Sequence, residues 1–368
     1  MVTTAEEKDF EELLKFENKT FKIKFENKVP RVYAYSKNAK LHGVFKDNEK
    51  IVGGICVLPG EFCFENEKLI TAGIGSVGVA KSHRNRGIMK ELMQYAEKKS
   101  LELGADVGYL SGYRFRYERF GYIPGGIKYV FEVSDHFIAH RKVNDTLSFL
   151  PIESKADIET AEKFYNAVLF AKHKRESEKF GKILSMWHSR AFLIKDESKN
   201  AIGYLVFKKD ENAVSELILS DNSKAADVLV SFAKSQKLKN VFVWACDFQR
   251  ELLNELLSFG EYYKIECACS IKIFNAKNFI EKMLRLKVSL SPVVNGSLVI
   301  KIGDETLKII VDGKDVSVAE TDEAPELSFS KTEAAAALTR PEYGGTKSVL
   351  FNAWTPLCPF GIFSVDKV

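Results

Sequence analysis

The sequence predicts a mixed α/β and α+β protein in three parts: two tandem α/β units with mixed sheets, then a smaller α+β unit. Three observations lead there. The order strand, strand, helix, strand, helix, strand runs from residue 50 to 133 and recurs from 201 to 274, the mark of a duplicated unit. From about residue 276 the pattern changes to alternating apolar and polar side chains, with Asn295-Gly296 and Asp312-Gly313 at turn positions, as in an antiparallel meander. The length, 368 residues, suits two or three domains. The expected units are 1–150, 151–275 and 276–368.

Taken in order, residues 4–17 read as a helix with Phe10, Leu13 and Leu14 on one face, and no strand is legible before it. Strands are expected at about 40–46, 50–64 and 68–80. The middle one, IVGGICVLPGEFCF, is rich in β-branched and aromatic residues and crosses Pro59-Gly60, where a turn or bend would fit. A helix follows at about 86–104, its face set by Met89, Leu92, Met93, Ala96 and Leu103, with Gly104 as its stop. A strand at 106–111, a short helix at 113–120 and a strand at 127–133 complete the first unit. The second opens with a helix at 156–173. It continues with strands 201–209 and 213–221, a helix 223–236, a strand 240–246, a helix 248–258 and a strand 262–274. In the third, PELSFSKTEAAAALTR adds a strand and an Ala-rich helix to the meander.

Composition excludes several classes. Hydrophobic residues make up 45% and charged residues 28%, so the chain is neither disordered nor fibrous. The 54 basic and 50 acidic residues are interleaved, and the net charge of +4 does not point to nucleic acid. No apolar run reaches the ~18 residues of a membrane span, and MVTTAEEKDFEELL lacks the pattern of a secretory signal. The cysteines, Cys56, Cys63, Cys246, Cys267, Cys269 and Cys358, form no paired C-x-x-C units and have no His at ligand spacing. A cytoplasmic protein with reduced thiols and no metal is expected.

The chemistry concentrates in Ser76–Met93, SVGVAKSHRNRGIMKELM. A strand ends at Val79, a basic loop follows, and Gly87 stands at the start of an amphipathic helix. Free main-chain N–H groups at such a start bind anions, and Arg84 and Arg86 add donors suited to phosphate oxygens. Gly73, Gly75 and Gly78 thin the strand, as expected where a ligand lies along it or where it bulges. About thirty residues on comes Tyr117-Glu118-Arg119-Phe120-Gly121-Tyr122. The loop of the second unit, SDNSKAAD, carries two Asp and no Arg or Gly; acids there repel a diphosphate, so no such ligand is expected in that unit.

V-x-V-x(4)-R-x-x-G followed by Y-x-x-F-G-Y resembles the acyl-CoA site of GNAT N-acetyltransferases. With the duplicated unit and the third part, the whole chain resembles the Eis (enhanced intracellular survival) branch: a GNAT domain, a degenerate GNAT domain and a sterol-carrier-protein-like domain. The resemblance implies that the main chain of Val77, Gly78 and Val79 pairs with the pantetheine arm. It implies that Arg84, Asn85, Arg86, Gly87, Ile88, Met89 and Lys90 cradle the diphosphate of acetyl-CoA, and that Ser111 and Gly112 flank the thioester. Tyr117 matches the tyrosine that protonates the leaving thiolate. It also implies a homo-oligomer, a hexamer in many members.

Acetyl transfer to an amine also needs a base. The strand LITAGIGSVGV carries no carboxylate. In the Eis branch the base is the C-terminal α-carboxylate threaded into the first domain; here that is Val368, with Asp366 as the alternative acid. The apolar ending TPLCPFGIFSVDKV fits a docked terminus. The expected substrate is a small cationic amine such as an aminoglycoside, a polyamine or a lysine side chain, acetylated by direct transfer. The competing reading is a non-catalytic acyl-CoA- or lipid-binding protein with an open apolar cavity at 280–340. Phe120 and Tyr122 are expected in the core, His83 at the surface or as a cap, and Trp187 and Trp244 in the core or at an interface.

Overall fold

The computed structural model describes residues 1–143, 146–168, 171–340, 343–357 and 363–368; Cys358 lies outside them. Its strands are β1 (Val2–Thr4), β2 (His42–Asp47), β3 (Lys50–Phe64), β4 (Glu67–Val79), β5 (Val107–Leu110), β6 (Ile123–Gly125), β7 (Lys128–Val133), β8 (Ser148–Pro151), β9 (Lys172–His173), β10 (Arg190–Lys195), β11 (Ala201–Lys208), β12 (Ala213–Leu219), β13 (Val241–Cys246), β14 (Tyr262–Glu266), β15 (Cys269–Ile273), β16 (Gly296–Ile302), β17 (Glu305–Asp312), β18 (Asp315–Glu320) and β19 (Leu327–Phe329). They form three sheets, ordered β1-β2-β3-β4-β5-β15-β6, β14-β7-β13-β12-β11-β10-β8 and β18-β17-β16-β19, with β9 added on β3. The expected class holds: mixed sheets with helices, then a small α+β unit.

The first two sheets exchange strands. The segment expected to finish the first unit, 127–133, is β7, and it lies in the second sheet between β14 and β13. The segment 262–274, expected as one strand, is two: β14 stays in the second sheet, and β15 crosses into the first between β5 and β6. Both crossing points lie together, where Ala268 N donates to Gly126 O. The sheet of the first unit is therefore incomplete without residues near 270.

Other differences are local. β1 is only three residues long, too short to show a period, and pairs with β2. β3 runs unbroken through Pro59, which pairs with Ala72 beyond the point where β2 ends; there the missing N–H costs no ladder bond on that side. The helix expected at 156–173 stops at Ala167, and Lys172–His173 is a strand on β3. β8 and β10 are additional strands.

One buried cluster joins all three parts. It includes Phe62 and Tyr109 from the first sheet, Tyr204 and Phe180 from the second part, Phe279, Leu298 and Trp354 from the third, and Val365 and Val368 near the C-terminus. The third sheet is backed by the helix Ala276–Leu290, whose N-terminus Asn275 caps through Asn278 N at 3.0 Å. Side chains such as Leu298, Ile300, Leu307 and Leu338 fill the interior, and the pocket between Ile302, Ala334 and Leu338 holds about 10 Å³. That is about one water, against the hundreds of cubic ångströms of a lipid site. No described helix is long and apolar enough to cross a membrane.

The exchange predicts that a fragment of residues 1–150 cannot close its sheet. Its thermal unfolding by near-ultraviolet circular dichroism should be non-cooperative where the full chain unfolds cooperatively. A sharp transition in the fragment would contradict the shared sheet.

Candidate active site

β4 and β5 run parallel only from Thr71 to Ile74, paired with Val107 to Leu110. β4 continues five residues further, so a wedge opens between Gly75–Val79 and the chain after Leu110. On its other side β4 bulges: the register with β3 shifts between Gly54 and Cys56, and Ser76 takes φ 45°. A bulge re-aims a strand locally.

The loop after β4 leads into the helix Ile88–Glu102. Gly87 sits at its start with φ 79° and nothing within 4 Å of where a Cβ would stand, so its need is the left-handed backbone and an open face. Asn85 is also left-handed, at φ 63°. Lys90 and Glu91 are the first nitrogens to donate back, both to Gly87 O. The amides of Ile88 and Met89 thus lack helical acceptors and carry the positive end of the helix dipole.

A cleft of about 1090 Å³ lies over this helix start. Of the expected residues it is lined by Val77, Gly78, Val79, Arg84, Asn85, Gly87, Ile88, Met89, Lys90 and Tyr117. Arg86, Ser111 and Gly112 are exposed and not on its wall. Thr20, Phe21, Gln94, Glu97, Arg116, Lys272 and Lys331 were not singled out as site residues in the sequence and line it too, as do His83, Arg119 and Gly121. Phe120 faces the cleft as well, whereas Tyr122 is core as expected.

Tyr117 ends the helical turn Arg114–Tyr117 and is buried. Gly112, at φ 151°, lets the ring in: a Cβ there would lie 2.7 Å from Tyr117 Cε2. Burial pushes the Tyr117 phenol up, and the charge of Arg116 opposes this. A phenol so placed keeps its proton at neutral pH.

The three thinned positions of β4 are filled by this chain itself. A Cβ at Gly73 would lie 2.9 Å from the Tyr109 hydroxyl, one at Gly78 2.9 Å from Phe21, and one at Gly75 2.6 Å from Val368 Cγ1 and 2.8 Å from the Val368 main-chain carbon. Val368 is thus buried against the strand that borders the wedge.

The path to Val368 is fixed residue by residue. Arg175 Nε and Nη2 donate to the Asp366 carboxylate at 3.0 and 2.8 Å, and Nη1 and Nη2 donate to Glu216 at 2.9 and 2.7 Å. All three side chains are wholly buried. Tyr204 adds a hydroxyl bond to Glu216. Tyr109 OH donates to Asp366 O at 3.2 Å, Trp187 Nε1 to Lys367 O at 3.0 Å, and Lys367 Nζ to Ala268 O at 2.6 Å. Trp187 is therefore an interface residue.

Asp366, expected as the alternative base, is not free to act as one. Burial alone would raise its carboxyl, but the charge and hydrogen bonds of Arg175 outweigh that and hold it below the usual range. It is an anchor, with its oxygens already engaged.

Glu17 was not legible as special. It is fully buried on the helix Phe10–Phe21, against Gly54, and neither carboxyl oxygen has a partner at hydrogen-bonding geometry among the described residues. Burial raises it to about 8, with the nearby Tyr33 and Ser76 hydroxyls opposing. Tyr33 OH bonds Ser76 Oγ at 2.8 Å, which braces the bulge. His83 bonds Asp47 Oδ2 at 3.0 Å and Ser82 Oγ at 2.8 Å; it is half-buried and lines the cleft. His173 is buried and neutral, lowered to about 4 by burial. In the second unit, Asp221 accepts from Ser223 N at 3.0 Å, so its own carboxylate occupies the position where the first loop offers free amides. Among the described residues no group of three or more metal-ligating side chains comes together.

Residues 1–125 match the family described as the acetyltransferase (GNAT) domain. No curated protein sequence matches the chain. Among solved structures, a GCN5-related N-acetyltransferase from Anabaena variabilis superposes with TM-score 0.71 over 100% of both chains at 15% identity. Eis1 from Mycobacterium abscessus gives 0.67 over 100% of both at 12% identity. A GCN5-related N-acetyltransferase from Kribbella flavida gives 0.67 over 92% of this chain and 88% of its own at 14% identity. The match over residues 1–125 supports acyl-CoA-dependent N-acetyl transfer by the first part of the chain, and the fold of the whole is shared with these structures.

Glu17 predicts a pH effect. Its folded value of about 8 lies above the unfolded value near ~4.3, so the folded state holds a proton that the unfolded state sheds between them. Stability from this site is full below the lower value and falls as pH rises through the upper one, by up to ~1.4 kcal/mol per pH unit. Glu17→Gln removes that slope. Its melting temperature relative to the parent should rise between pH 5 and pH 8; parallel curves would contradict a protonated Glu17.

Proposed function

We propose that the protein transfers the acetyl group of acetyl-CoA directly to the primary amine of a small cationic substrate, with Tyr117 as the acid and the Val368 terminal carboxylate as the base. The observation that carries this reading is the burial of Val368 against Gly75, beside the wedge, in a chain whose β4 has no carboxylate there: its one acid, Glu67, lies at the far end of the strand and is paired with Arg285.

In this reading the free edge of Val77–Val79 pairs with the pantetheine arm as an added strand would. The diphosphate sits on the amides of Ile88 and Met89, with Arg84 and Lys90 supplying charge. Ser111 and Gly112, which follow the last residue of β5, would flank the thioester from outside the cleft lining, and Arg86 would act from the exposed side of the loop. The amine enters as an ammonium ion and loses one proton to the Val368 carboxylate. Its lone pair attacks the thioester carbon to give a tetrahedral adduct; the adduct loses a second nitrogen proton to water and collapses, the C–S bond breaks, and Tyr117 protonates the departing thiolate and regains its proton from water. The raised phenol suits a donor, since it holds its proton until a basic thiolate forms.

Tyr117→Phe should lower turnover by about 10²-fold or more with a smaller change in KM for acetyl-CoA. Two glycines added after Val368 should lower turnover comparably by displacing the carboxylate, while coenzyme A still binds. Release of the thiol, followed with a panel of amines, reads both. Full activity in the extended chain would remove the terminal carboxylate from its role; full activity of Tyr117→Phe would remove the acid.

The competing reading, a lipid carrier built on the third part, gains no support from the 10 Å³ pocket there. The likeness to Eis-type architecture, including a sterol-carrier-like last domain, remains part of the proposal on the strength of the full-length superposition with Eis1.

A further inference from the structure

The cleft carries more positive charge than a diphosphate needs. Six Lys and Arg residues line it and only one carboxylate, Glu97. Arg84 and Lys90 belong to the loop. The other four cations of the lining are Arg116, Arg119, Lys272 and Lys331. Lys272 is paired with Glu97 at 2.6 Å. Among the described residues no ion pair is formed by Arg116, Arg119 or Lys331 with a carboxylate.

Apart from Lys272, whose charge Glu97 meets, these cations are held by contacts that leave their charge uncompensated. The Arg119 guanidinium lies 4.9 Å from the Phe120 ring centre and 3.8 Å from Met89 Sδ. The Arg116 guanidinium lies 5.2 Å from the Tyr113 ring centre. The stem of Lys272 runs past Gly121, where a Cβ would approach it at 3.4 Å, and the stem of Lys331 passes Gly303 at 3.2 Å from its Cβ position. Gathering like charges in one concave site costs self-repulsion, and a bound polyanion relieves it. Arg over an aromatic face is also pre-organised to receive phosphate oxygens.

We propose that Arg116, Arg119, Lys272 and Lys331 form a subsite for the ribose 3′-phosphate of coenzyme A. The site is assembled from all three parts of the chain: two residues from the first, one from the strand that crosses between sheets, and one from the first turn of the helix Lys331–Thr339. This rests on the acetyl-CoA reading above and goes further, because it makes the third part a determinant of cosubstrate recognition.

The test compares coenzyme A with 3′-dephospho-coenzyme A by calorimetry on the full chain at low salt. The subsite predicts that coenzyme A binds about 10- to 100-fold more tightly, a gap that narrows as salt screens the charges. In Arg119→Gln/Lys331→Gln the ratio of the two dissociation constants should fall toward one. In Glu97→Gln, which frees Lys272, it should widen. Equal affinities in the parent protein overturn the subsite while leaving the acetyl-CoA reading intact. Binding of neither ligand overturns both. An unchanged ratio in the double variant overturns the assignment of those residues. The parent comparison needs no variant, so a folding defect in one does not remove the test.

Discussion

Arg175 fixes the geometry on which the account depends. It is wholly buried between Asp366 and Glu216, and its guanidinium faces the Tyr165 ring at 3.9 Å. A buried ion pair of this kind contributes little net stability against an apolar substitute, but loss of one partner costs about 3–5 kcal/mol because the other charge is stranded. Its effect here is positional. With Asp366 tied by both side chain and carbonyl, and Lys367 tied at both its carbonyl and its ammonium, Val368 has one place to go, against Gly75. The groups that hold these three residues come from the first sheet, from Trp187 and Arg175, and from Ala268 at the crossover. The terminus is thereby coupled to the packing of both large sheets.

The first sheet accepts this neighbour because β4 gives up side chains there. Gly73, Gly75 and Gly78 make room for Tyr109, Val368 and Phe21 in turn. A methyl group at Gly75 would overlap the terminal residue, and no flexible far end is available to yield. The bulge at Ser76, braced by Tyr33, turns the rest of β4 toward the wedge. The carboxyl of Glu17 beside it is kept protonated by burial, so it adds no negative charge next to this stretch of β4.

What could be read in the sequence was what lies close together along it. Val77 to Lys90 is one strand end, one loop and one helix start, and the physical reasons for its glycine, arginines and amides are local. Tyr117 follows within thirty residues. The rest of the lining was not legible, because Thr20 and Phe21, Lys272 and Lys331 come from three distant segments. The strand exchange was hidden for a different reason. YYKIECACSIKIF keeps its β character across Cys267-Ala268, with no Gly or Pro at the break, so one strand and two strands look alike. Asp366 was a plausible base only while Arg175 was unseen; the two are far apart in sequence and 2.8 Å apart in space.

The central claim is that acetyl-CoA lies on the amides at the start of the helix Ile88–Glu102, beside a terminus held on β4. Hydrogen–deuterium exchange with and without acetyl-CoA reads this directly. The account predicts slower exchange confined to the amides of Val77–Val79 and Arg84–Lys90, with the Ser220–Lys224 loop unaffected, where Asp221 already serves the helix. Unchanged exchange at Arg84–Lys90, or equal protection of both loops, would contradict it.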